Sequence, residues 1–75
     1  MDNAQKIFFK KFGAEVRRLR ISKNMTLEDT QEFGFSTQHF QKLESGLKAA
    51  NFYTAYRIAR AFGISLSKLV KIIED

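Results

Sequence analysis

The chain is 75 residues long, with 13 Lys and Arg against 8 Asp and Glu, a formal charge of +5 and a sequence pI near 9.8. That length sets one domain over residues 1–75 with a single core, and leaves no room for a separate effector module. The absence of cysteine excludes disulfides, thiolate metal sites and a thiol nucleophile, while apolar runs of only a few residues exclude a membrane span or signal peptide, so a soluble cytoplasmic protein is expected.

The surplus of bases favours a polyanionic partner, because each neutralised phosphate releases counterions and adds affinity independent of sequence. Its distribution is uneven. Lys6, Lys10, Lys11, Arg17, Arg18, Arg20 and Lys23 crowd the first third with Glu15 as the one interior acid, whereas residues 24–36 hold Glu28, Asp29 and Glu32 and no base.

From residue 3 to residue 23, Phe8, Phe12, Val16 and Leu19 recur at three- or four-residue steps, which predicts one amphipathic helix. Ile7 and Phe9 lie off that stripe and widen the apolar surface, pointing to an extra contact within the chain or with a second subunit. Gly13 costs such a helix about 1 kcal/mol relative to alanine, and close approach of a neighbouring helix is its expected reason. Thr26 with Asp29 three residues later is close to a capping box and opens a second helix, which Gly34 ends as a left-handed residue. Ser36 caps a third helix running to about Glu44, with Gly46 as its stop. Phe33, Phe35, Phe40 and Leu43 are the core candidates of this pair.

Two short helices joined by a glycine-bearing turn form a helix-turn-helix pattern, whose second helix can enter a DNA major groove. After a connector, Asn51 caps a fourth helix with Phe52, Ala55, Ala59 and Phe62 on one face, ended by Gly63. Ser65 caps a fifth, with Leu66, Leu69, Val70 and Ile73 as its stripe. The expected fold class is all-α, five helices, with the helix-turn-helix formed by helices 2 and 3.

The order and spacing of several pieces resemble the lambda-repressor-like (Xre-type) helix-turn-helix domains over about residues 12–70. These are Phe12-Gly13, Val16-Arg17 and Leu19-Arg20 in the first helix, Met25-Thr26 before the second, and Phe33-Gly34-Phe35-Ser36 at the hinge. Phe40, Leu43-Glu44-Ser45-Gly46 and Ile58-Ala59-Arg60-Ala61-Phe62-Gly63-Ile64-Ser65 follow. The chain departs from the family pattern in helix 2, which is about one residue shorter and has Thr30 and Gln31 where apolar residues are usual. Leu27 stands where many relatives carry a phosphate-contacting glutamine, and it offers no hydrogen bond.

A recognition helix presents residues near its N-terminus to base edges, here Thr37, Gln38 and, one turn on, Gln41 and Lys42. The resemblance implies base reading by Thr37, Gln38 and Lys42. Side-chain chemistry agrees, since Gln pairs with adenine N6 and N7, Lys reaches guanine O6 and N7, and the Thr methyl touches a thymine methyl. Ser45, Lys48 and Asn51 match family positions near the DNA backbone, and Asn51 also serves as an N-cap. Arg17 and Lys23 are further phosphate candidates from the first helix. The lone His39 is a candidate flanking phosphate contact. The resemblance also pairs Arg20 with Glu44 as a structural ion pair that fixes the recognition helix.

No cysteine or clustered carboxylate accompanies His39 at ligand spacing, so no metal is expected. No nucleophile and base pair, glycine-rich phosphate loop or paired carboxylates suggest an enzyme or a cofactor. The expected function is a transcriptional regulator binding double-stranded DNA as a homodimer on two half-sites, with Leu69, Ile72 and Ile73 as the dimer patch. An antitoxin or restriction-system controller of the same fold, or a protein-interaction module with a degenerate helix-turn-helix, is the alternative.

Overall fold

The computed structural model describes residues 3–74. Among them are α1 (Asn3–Ser22), a 3-10 helix (Glu28–Phe33), α2 (Thr37–Ser45), α3 (Phe52–Ala61) and α4 (Leu66–Glu74), with no strand. Their inner faces meet in one core of Phe12, Val16, Leu19, Phe35, Phe40, Leu43, Ile58, Ala59, Phe62, Leu69 and Ile73.

The helix ends explain how so short a chain turns four times. Asn24, at φ +56°, closes α1, with the Asn24 amide on the Ile21 carbonyl at 2.9 Å and the Met25 amide on that of Arg20 at 3.1 Å. This is the double hydrogen bond of a Schellman cap. The same pattern stops α2 at Gly46 and α3 at Gly63. At the starts, the Ser36, Asn51 and Ser65 side chains accept from the amides of His39, Thr54 and Lys68 at 3.0, 2.7 and 3.1 Å.

The second element is a 3-10 helix rather than the α-helix its capping pattern suggests. Thr26 and Asp29 still form the reciprocal box, amide to carboxylate at 2.8 Å and amide to hydroxyl at 3.2 Å. The six residues of this helix, Asp29 included, take the 3-10 winding, whose rise is about 2.0 Å per residue against about 1.5 Å in an α-helix. Thr30 fills the central core slot, wholly buried, and its hydroxyl donates to the Leu27 carbonyl at 2.5 Å. A threonine thus serves where an apolar side chain is usual, because its one polar atom is satisfied within the turn. Gln31 faces outward, and Leu27 packs against the core edge.

Three apolar expectations need correction. Phe8 is 43% exposed, and Phe52 82% exposed, so neither belongs to the core. Helical periodicity aims both inward, but they end on the rim of an apolar cleft between α1, α3 and α4, beside Phe9, Ala55, Leu66 and Val70, and are not enclosed by it. Leu69 and Ile73, expected at a dimer patch, are buried at 0% and 5% because α4 lays that stripe on α1 and α3. Ile72 alone of that trio is exposed.

Gly13 lies against α2. A Cβ there would overlap the main-chain carbonyls of Leu43 and Glu44, so the two helices approach to a distance only glycine permits. Around the hinge the phenylalanines meet edge to face, Phe35 with Phe40 at 5.4 Å, Phe40 with Phe62 at 6.4 Å and Phe33 with Phe62 at 6.2 Å. These contacts seat both sides of the turn on α3.

Candidate nucleic-acid interface

α2 has two faces of opposite character. Phe40 and Leu43 are buried, and Gln38, Gln41 and Lys42 are exposed, three and four residues apart and therefore on one outward surface. Thr37 is half-buried at the helix start. Ser36 holds the first turn, so the outward side chains begin within one turn of the positive end of the helix.

The C-terminal end of α2 is fixed by Arg20. Its Nε and Nη2 donate to the two Glu44 carboxylate oxygens at 2.6 and 3.1 Å, and its Nη1 donates to the Met25 carbonyl at 2.7 Å. The side chains are 11% and 6% exposed. One guanidinium therefore ties the end of α1, the loop before the 3-10 helix and the end of α2 together in bidentate geometry.

The hinge leading into α2 is held by a residue the sequence reading did not single out. Arg57 on α3 donates from Nη2 to the Phe33 carbonyl at 2.7 Å, and its guanidinium carbon lies 4.4 Å from the centre of the Phe35 ring. Nothing in the spacing marks it. Arg57 falls off the Ile58, Ala59 and Phe62 face and reads as one more solvated base; only the return of α3 past the hinge brings it there.

His39 is half-buried, its ring 5.9 Å from Phe35. Burial first, then the charges of Lys48, Arg57 and Lys42, hold its pKa below the ordinary imidazole value. That direction favours the neutral imidazole over the charged one. The same three bases make the surroundings of His39 electropositive.

The remaining candidates divide by what their atoms already do. Ser45 donates its hydroxyl to the Lys42 carbonyl at 3.1 Å, which leaves it acceptor capacity rather than a donor for phosphate. Lys48 is exposed in the turn after α2. Asn51 uses Oδ1 on the Thr54 amide, so its side-chain NH2 is still available to donate. Arg17 lines a shallow cleft with Arg18, Ile21, Ser22 and Glu44, beside the far end of α2, and Lys23 is exposed just past α1. Leu27 packs inward and adds nothing polar to this surface.

Among the described residues no group of three His, Cys, Asp or Glu is able to hold a metal ion, and no helix is long and apolar enough to cross a membrane.

A helix-turn-helix family model matches residues 16–69, from mid-α1 to α4. The HTH-type transcriptional regulator y4dJ of Sinorhizobium fredii, itself uncharacterised, is 37% identical over 59 residues, 77% of each chain. No solved structure matches the chain. Since the match takes in both helices flanking the hinge and the helix the hinge carries, the chain belongs to the lambda-repressor-like helix-turn-helix family, a non-enzymatic class of DNA-binding transcriptional regulators.

Proposed function

We propose that this chain is a sequence-specific cytoplasmic regulator that binds double-stranded DNA as a homodimer on an operator with two half-sites. The observation that carries the reading is α2 itself, an outward row of Gln38, Gln41 and Lys42 on a helix anchored inward by Phe40 and Leu43 and tied at its end by Arg20. In this reading Thr37, Gln38, Gln41 and Lys42 meet base edges. Lys48, Asn51, Ser45, His39, Arg17 and Lys23 flank the phosphates. The dimer forms through Ile72 and its surroundings, since Leu69 and Ile73 are spent on the core.

Site selection from random-sequence DNA, followed by electrophoretic shifts at two salt concentrations, tests it. Affinity should fall steeply with salt. Gln38→Ala or Lys42→Ala should each lose about 1 to 3 kcal/mol of discrimination, and Lys48→Ala should weaken all sequences alike and reduce the salt slope by about one. Equal weakening of every sequence by all three changes would remove the base-reader assignment. No salt-dependent binding at all would turn the reading to the protein-interaction module.

A further inference from the structure

We infer that Arg57 is a positioning residue for DNA recognition, clamping the hinge so that α2 is presented at a fixed angle. The inference rests on the DNA-binding reading above and adds to it a residue that need not touch DNA.

The geometry of the turn calls for such a clamp. Gly34, at φ +87°, is held from within the segment by its amide on the Gln31 carbonyl at 3.0 Å, and the preceding helix is a 3-10 turn, a weaker support than an α-helix. Arg57 supplies the missing bonds from outside. Its Nη2 caps the Phe33 carbonyl at the end of the 3-10 helix, and its plane covers Phe35, the first core residue after the hinge. It thus grips the chain on both sides of Gly34. A Cβ on Gly34 would lie 2.7 Å from Nη2, so the guanidinium fills the space that the glycine leaves open. Arg20 holds Glu44 at the far end of α2, and Arg57 holds the hinge that leads into its near end, so arginines from α1 and α3 grip the end of α2 and the segment before it.

Lysine at this position keeps the charge but has neither the planar face nor the fork of donors. Arg57→Lys is therefore the informative change, with Arg57→Met beside it. Affinity for a duplex recovered by the wild-type protein from a random-sequence pool should fall about tenfold or more in Arg57→Lys, with an unchanged slope against salt. In the free protein, exchange of the Gly34 and Phe40 amides should quicken about tenfold, while that of Leu69, bonded to Ser65 on α4, stays as it was.

Wild-type affinity together with wild-type exchange in Arg57→Lys would overturn the inference. So would a salt slope reduced by about 0.9 in Arg57→Met with exchange unaltered, because Arg57 would then be a phosphate contact. If the wild-type protein bound no duplex, the DNA reading would fall, and the exchange comparison in the free protein would still decide whether Arg57 holds the hinge.

Discussion

Gly13 concentrates the packing argument into one atom. Helix propensity alone says that Gly13→Ala stabilises α1 by about 1 kcal/mol. The structure says the reverse, since the added methyl would meet two main-chain carbonyls that cannot swing away as a side chain would. Overpacking of this kind costs about 1 to 3 kcal/mol or more. Urea unfolding of Gly13→Ala should therefore show a lower midpoint with an unchanged slope; a higher midpoint would mean that α1 and α2 are farther apart than described. This close approach was legible because a glycine inside a strong helical stripe needs a reason. The exposure of Phe8 and Phe52 was not. Periodicity gives the direction of a side chain, and only the fold decides whether its neighbours close over it or leave a cleft, as they do at Phe8 and Phe52.

At the level of elements, caps and stops were readable since they are local: Thr26, Gly34, Ser36, Gly46, Asn51, Gly63 and Ser65 act on backbone groups within a few residues. The winding of the second helix was not, because six residues with a good capping box satisfy an α or a 3-10 pattern equally. Thr30 was misleading for a related reason: its type says polar, and its hydroxyl is hidden against Leu27. Arg57 was invisible because its contacts with Phe33 and Phe35 depend on α3 crossing the hinge. Arg20 and Glu44 came from family resemblance, and their pairing can be measured. Arg20→Met leaves a carboxylate of 6% exposure without its partner, which should cost about 3 kcal/mol of unfolding free energy. Glu44→Leu in the same chain should restore most of it. Strict additivity of the two changes in a double-mutant cycle would mean that the ion pair holds nothing.

For the whole molecule the question is how α2, if it is the recognition helix proposed above, would gain specificity with only nine residues. One such helix reaches too few base pairs, and members of two-fold dimers read half-sites about 34 Å apart. A chain with principal extents of 32 × 24 × 21 Å is of the right size for two copies side by side on one face of the duplex. With Leu69 and Ile73 inside, the proposed dimer contact would rest on what α4 leaves outside, and Ile72 adjoins a cleft of about 330 Å³ lined by Lys11, Ala14, Glu15 and Arg18. That rim carries both signs of charge, so two copies can face each other without pure repulsion, despite a net charge of +5. Ile72→Asp should consequently lower the melting temperature of the monomer less than the same change at the buried Leu69 or Ile73, because the side chain is 38% exposed. It should shift sedimentation equilibrium towards monomer and weaken binding to a duplex with two half-sites at least tenfold, while binding to a single half-site is kept. Equal loss on both duplexes would instead place Ile72 in the support of the DNA surface, and no loss on either would move the dimer contact away from α4.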